Sequence, residues 1–199
     1  MNCKEWEFHE VIKQLRPRTN EKILDVGCGT GDFCYTLKSR YDTVVKGIDI
    51  NKDKVRVARE KYPQIEFECE DIVNFGKRLD ERDKYDDIVM IQVIEHIPHP
   101  EEAIRVCKDL LKSNGRIVLT TINKWAYLNK LICYLKGKEF IFYQDPTHVT
   151  QFSPYSLCSL LKGQGFKVEK IGTLSTIFDK TISTSFFGAT LYVVGRKSW

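Results

Sequence analysis

The chain has 199 residues, 42% of them hydrophobic, which is enough apolar surface for one well-formed core and makes a second full domain unexpected. Its 31 basic and 27 acidic residues leave a formal net charge of +4 with both signs scattered, so charge alone selects neither a nucleic acid nor a membrane as partner. Seven cysteines, odd in number and without a Cys-x-x-Cys pair, point to reduced thiols in a cytoplasmic protein and away from a zinc knuckle or a disulfide framework.

The first segment, MNCKEWEFHEVIKQLRP, carries charges throughout and lacks the apolar centre of a signal peptide. No later run approaches the ~20 apolar residues of a spanning helix. From there, apolar runs alternate with amphipathic ones. Strands are expected at KILDVGC (22–28), TVVKGIDI (43–50), IEFECED (65–71), DIVMIQVI (87–94) and GRIVLTTI (115–122), with helices at 32–40, 52–62 and 100–111 between them. Near-continuous apolar strands joined by helices imply a mostly parallel sheet covered on both faces, a doubly wound α/β fold. Pro100, Glu101 and Glu102 form a good first turn, because proline lacks only an unneeded donor and the acids meet the positive helix end.

Beyond the fifth strand the alternation breaks. An aromatic-rich insert at 124–144 sets Leu128, Leu131, Ile132 and Leu135 at helical spacing and clusters Trp125, Tyr127, Tyr134, Phe140, Phe142 and Tyr143. That composition suits a lid or acceptor pocket for a flat small molecule, and equally the packing of an extra helix. Lys124, Lys130, Lys136 and Lys138 around it suit peripheral contact with an anionic membrane surface. Ser153-Pro154 then opens a helix that ends near Gly163 and Gly165. Two strand-like runs, 167–175 and 189–197, close the chain as an antiparallel pair.

ILDVGCGTGDF places Gly27, Gly29 and Gly31 between a strand and a helix, where parallel sheets bind ligands. A ligand can approach amides there that a side chain would block, although a tight turn without a ligand has the same pattern. The dinucleotide fingerprint needs its third glycine three residues after the second. Here Asp32 holds that position, and an acid sits poorly beside a pyrophosphate. Asp25 adds a second negative charge, so the loop suits a ligand bearing an amine and a sulfonium, as S-adenosylmethionine does. Asp49 and Asp71 end the next two strands, placed to accept from ribose hydroxyls and an adenine amino group, with Ile72 covering the ring.

On these motifs the sequence resembles the Rossmann-like S-adenosylmethionine-dependent methyltransferases from about Ile23 to the last strand. The resemblance implies a seven-stranded sheet ending in a C-terminal antiparallel hairpin, as a single methyltransferase domain over 1–199. It also implies that Asp25, Gly27, Cys28, Gly29 and Gly31 hold the methionine part of the cofactor, Asp49 with Ile50 the ribose, and Asp71 with Ile72 the adenine.

The fourth strand runs into Gln92 and then Glu95-His96, where the methyl group would be presented. A histidine near neutral pKa can take a proton from a hydroxyl acceptor, and a divalent metal can lower that hydroxyl's pKa. Glu95, His96 and His148 (of DPTHVTQFSP) offer one oxygen and two nitrogen ligands; a turn cap and a sheet hydrogen bond are the bland readings of the same histidines. The pattern is similar to Glu-x-x-Glu-His in the quinone-biosynthesis O-methyltransferases and in the small-RNA 3′-terminal 2′-O-methyltransferases. This chain has Gln92 where those groups have the first glutamate. The expectation is an S-adenosylmethionine-dependent O-methyltransferase of a small molecule, with Gln92 beside the cofactor, His96 then His148 as the base, and Glu95, His96 and His148 as metal ligands. Competing readings are metal-assisted methylation of an RNA 3′ end, a non-catalytic cofactor-binding subunit and a nicotinamide-dependent oxidoreductase.

Overall fold

Side chains alternate along a strand, so each strand of a covered sheet must supply apolar residues to both faces. In the computed structural model, which describes residues 3–125, 147–174, 176–177, 180–181 and 189–198, they do so strand by strand. The seven strands of the main sheet are β1 (Lys22–Val26), β2 (Val44–Asp49), β3 (Glu66–Cys69), β4 (Tyr85–Ile91), β5 (Leu111–Ile122), β6 (Phe166–Leu174) and β7 (Thr190–Lys197). They lie in the order β3-β2-β1-β4-β5-β7-β6. The pairs from β3 to β5 are parallel, whereas β7 runs antiparallel to both β5 and β6. The expected doubly wound sheet with its C-terminal antiparallel hairpin is therefore present.

Ile23, Val45, Val89, Val118 and Val194 pack on one face against α1 (Cys3–Leu15), α2 (Asp32–Tyr41) and α3 (Lys52–Lys61). Leu24, Ile48, Ile88, Met90, Ile117, Leu119 and Val193 fill the other face with α4 (Ile72–Phe75), α5 (Pro100–Leu110) and α6 (Pro154–Gly163). Ser153 caps α6 through a reciprocal capping box with Ser156.

Four differences from expectation have local causes. Helix α1 was not foreseen, although Phe8, Val11, Ile12 and Leu15 recur at helical spacing and the last three are buried. The strand expected over 87–94 begins at Tyr85 and stops at Ile91, because Gln92 takes φ 55; Ile94–His96 is a single 3₁₀ turn, so Glu95-His96 follows the strand and does not end it. The strand expected to Asp71 stops at Cys69, because the Asp71 side chain accepts from the amides of Val73 and Asn74 and starts α4. The fifth strand starts at Leu111, four residues early, with a register shift against β4 between Tyr85 and Asp87. Most of the aromatic insert, 126–146, with Lys130, Lys136 and Lys138, lies outside the described residues; Trp125 is exposed. Among the described residues no helix is long and apolar enough to cross a membrane.

One buried ion pair joins the layers. Arg116 of β5 forks onto both oxygens of Asp87 of β4, at 2.9 and 3.0 Å, and donates to the carbonyl of Leu15 at the end of α1. Burial pushes the Asp87 carboxyl up to about 6 against the lowering effect of Arg116. Removing the guanidinium strands a buried carboxylate, so Arg116→Met is expected to lower stability at pH 8 by about 3 kcal/mol. The loss should shrink toward pH 5. Asp87 then binds a proton in the native state that the unfolded chain, with a carboxyl pKa of about 4, does not hold as tightly. Urea denaturation of both proteins at the two pH values measures it.

Candidate functional site

The glycine loop is held from β2. The amides of Gly27 and Cys28 both donate to the carbonyl of Ile48, at 2.7 and 3.0 Å. Gly27 has φ +76 and abuts Val93, whose methyl would lie 2.2 Å from an added Cβ, so this turn needs glycine. Gly29 differs: with φ +56, its Cβ position has nothing within 4 Å, leaving the backbone open to an incoming molecule. Gly31 starts α2 without a side-chain cap. The Asp49 carboxylate clamps the loop, accepting from the amide of Gly29 with one oxygen and of Asn51 with the other, each at 2.8 Å. Each oxygen keeps a further lone pair. Beside it Ile50 is 76% exposed, an apolar side chain presented to solvent.

A cavity of about 800 Å³ opens between the loop, α1 and α2, walled among others by Glu7, Asp25, Gly29, Asp32, Tyr62 and Gln92. Its acids differ in state. Burial pushes Asp25 up to about 7, although the Cys34 thiol donates to it at 3.1 Å; the charge of Asp49 raises it further. Asp32 presents no open charge to the loop: it pairs with Lys61 at 2.5 Å and accepts from Tyr62 and Thr30. These partners outweigh its burial and hold it below the usual carboxylate range. The sequence argument that Asp32 repels phosphates therefore weakens. Cys28 is buried against Gly47 of β2. Asp71 and Ile72 lie at the far end of β3, outside this cavity's walls, with Asp71 capping α4 and Ile72 packed into the core.

Beyond β4 the backbone turns sharply. Gln92, a non-glycine residue at φ 55, donates its amide to the carbonyl of Thr120 at 3.1 Å. Its side chain donates to Glu7 at 2.7 Å, and the Thr120 hydroxyl donates to the same oxygen at 2.7 Å. Glu7 had no place in the sequence reading, since both partners lie far along the chain. Glu95 is 2% exposed; its Oε2 accepts from the Thr121 hydroxyl at 2.9 Å, whereas Oε1 is buried without a hydrogen-bond partner among the described residues. Burial raises its pKa, opposed by backbone and Thr121 hydrogen bonds and by His96. The Glu95 carbonyl accepts from the amides of Val149 and Thr150, which brings the DPTHVT segment to the site. His96 places Nδ1 on the carbonyl and hydroxyl of Thr147, and its ring lies 4.8 Å from that of His148. Ligand atoms of Glu95, His96 and His148 all fall within 4.8 Å of one another. The structure thus gathers the three residues named from sequence, and an ion bonded at about 2.1 Å would draw them closer. Their donor set of one carboxylate and two imidazoles fits such an ion, and the orphaned Glu95 oxygen is the kind of atom one would satisfy.

A family model described as a methyltransferase domain matches residues 6–171. The chain is 30% identical over 154 residues to a ubiquinone biosynthesis O-methyltransferase of Glaesserella parasuis, covering 72% of this chain and 64% of that protein. It is 35% identical over 132 residues to a protein of the same name from Pasteurella multocida, covering 58% and 54%. The chain thus spans less than two thirds of the length of these curated relatives. Among solved structures, a SAM-dependent methyltransferase from Archaeoglobus fulgidus aligns with TM-score 0.71 and 20% identity, covering 98% of this chain and 95% of that one.

The Asp25 carboxyl gives a testable pH signature. Its native pKa is about 7 and its unfolded one about 4, so the native state binds the extra proton between them. Its contribution to stability is full below pH 4, declines as pH rises to 7 and is level above. Asp25→Asn should lack this decline, and its unfolding midpoint should rise relative to the parent between pH 4 and 7. A constant offset between the two denaturation series would contradict the assignment.

Proposed function

The chain belongs to the methyltransferase-domain family, and on that premise we propose that it transfers the methyl group of S-adenosylmethionine to an oxygen of a small molecule, with a divalent metal at Glu95, His96 and His148. The observation that carries the metal is the buried, unpartnered Oε1 of Glu95 beside the paired imidazoles. Oxygen as the acceptor atom, and a quinone-related acceptor, are supported by the relatives' name, ubiquinone biosynthesis O-methyltransferase.

In this reading the backbone of Gly27, Cys28, Gly29 and Gly31 receives the methionine part of the cofactor, with Asp25 and Gln92 beside it. Asp49, already fixed by two amides, turns its remaining lone pairs to the ribose. Ile50 and Ile72 border the adenine, and Asp71 accepts from its amino group. One seven-stranded sheet with a core on each face, beside a two-residue hairpin pairing of 176–177 with 180–181, supports a single domain.

A bound divalent ion would supply a lowered pKa for the acceptor hydroxyl. Glu95 would contribute its desolvated carboxylate, and the Thr121 hydrogen bond fixes that side chain. Thr147 orients the His96 ring. A proton on Nδ1, given to the Thr147 carbonyl, leaves Nε2 as the basic nitrogen. His96 would take the acceptor's proton where no ion claims that nitrogen, with His148 second. Positioning the acceptor oxygen in line with the methyl carbon does the rest.

Two experiments test this. Gly29→Ala should fold with a loss of about 1 kcal/mol, the strain of an L residue at positive φ, yet bind S-adenosylhomocysteine at least about ten-fold more weakly, because its methyl occupies the ligand's approach. If the parent protein binds none, the cofactor reading fails. Chelator-treated protein saturated with S-adenosylhomocysteine should bind magnesium, manganese or zinc in a calorimeter, and His96→Ala and His148→Ala should each abolish it. No heat from any of the three metals would remove the metal and leave His96 as a simple base.

A further inference from the structure

Three acids stand on the cavity wall among the described residues, and they are held differently. Asp32 is paired with Lys61, and Asp25 is buried with the Cys34 thiol donating to it. Glu7 makes no ion pair among the described residues. Both hydrogen bonds it receives come from neutral donors, the amide of Gln92 and the hydroxyl of Thr120, and both end on Oε1. Burial raises its pKa by more than those two bonds lower it. An anion held in place by neutral dipoles and facing a cavity is arranged for a cation that arrives from outside.

Its position says which part of a ligand it meets. Glu7 is fixed to Gln92, the residue immediately after β4, and to Thr120 of β5. The next residue, Thr121, holds Glu95. That carboxylate is on the opposite face of the sheet, so β4 and β5 fix Glu7: it lies at their carboxyl ends, with β1 between it and Asp49, Ile50 and Asp71. Packing of α1 keeps it there: Val11, Ile12 and Leu15 are buried, and Phe8 contacts Phe33 of α2 with ring centroids 4.9 Å apart.

We infer that Glu7 is the counter-ion of the cofactor's sulfonium, and that it makes the chain hold S-adenosylmethionine in preference to the demethylated product. This rests on the cofactor reading above and deepens it. When the methyl carbon leaves, its bonding pair stays on sulfur, which passes from a cation to a neutral thioether. The carboxylate then faces no charge at that atom. Its attraction to the cofactor drops at the step where the product has to leave.

The test is Glu7→Gln, which keeps an oxygen for Gln92 and Thr120 and removes only the charge. Calorimetry would compare S-adenosylmethionine, S-adenosylhomocysteine and sinefungin, an analogue with an ammonium-bearing carbon in place of the sulfonium. The variant should lose on the order of ten-fold in affinity for the two ligands that are cationic at this position, with under about two-fold change for S-adenosylhomocysteine. The retained S-adenosylhomocysteine binding is the control for folding. Equal weakening of all three ligands would overturn the inference, since it would show Glu7 acting on the common α-ammonium or only tying α1 to the sheet; so would no change in any of them. If the parent protein binds none of the three, the cofactor reading itself has failed, a result separable from the others.

Discussion

Thr120 and Thr121 are neighbours on β5, and the alternation of a strand sends their hydroxyls to opposite faces of the sheet. Each hydroxyl holds one carboxylate, Glu7 on the side of α1 and Glu95 on the side of α5 and α6. Much of the upper edge depends on this two-sided anchoring. It places one acid in the wall of the large cavity and the other in a dry niche beside two histidines. Gln92 sits between them, its backbone bonded to the Thr120 carbonyl and its side chain to Glu7. The turn at φ 55 is strained for a non-glycine residue, and these bonds are what over-determine it.

Much of this was legible in the sequence for one reason: a parallel sheet covered on both faces writes itself as apolar runs, and helix ends write themselves as Ser-Pro, Pro-Glu-Glu or Gly-x-Gly. Glu95, His96 and His148 were also legible, because few roles suit a Glu-His pair placed just after a buried strand. What was missed was of two kinds. Asp71 was read only as a strand-end ligand group; an Asp before Ile-Val-Asn-Phe is also an N-cap signal, and the structure shows the cap. Glu7 was invisible for a deeper reason. Its partners lie 85 and 113 residues away, and no local pattern records such a contact. The helix that carries it was readable at Phe8, Val11, Ile12 and Leu15, but reading the segment for a leader signal hid that spacing.

The fold by itself does not choose a reaction. The [4+2]-cyclase SpnF has a similar fold, aligning over 96% of this chain and 80% of its own with TM-score 0.74 and 17% identity, and a cyclase by name is not a methyltransferase. The weight therefore falls on side chains at the upper edge of β1, β4 and β5. There the elements divide the labour: β1 and β2 set the glycine loop, α1 closes one wall of the cavity, and the segment around Thr147 and His148 packs against Glu95-His96.

The ties of α1 also bear on the order in which the protein is made. As a 13-residue helix it has little stability of its own. Its hydrogen bonds outside the helix reach Gln92, Arg116, Thr120 and Lys170, separations of 85, 101, 113 and 156 residues. It therefore leaves the ribosome well before the residues it bonds to. Synthesis at about 5–20 residues per second puts several seconds or more between the two events. During that interval Val11, Ile12 and Leu15 have no sheet to cover, which leaves the apolar face of this helix in water until the later strands arrive. The cleft acquires its wall only when β5 is in place, so an incomplete chain cannot hold the ligand prematurely.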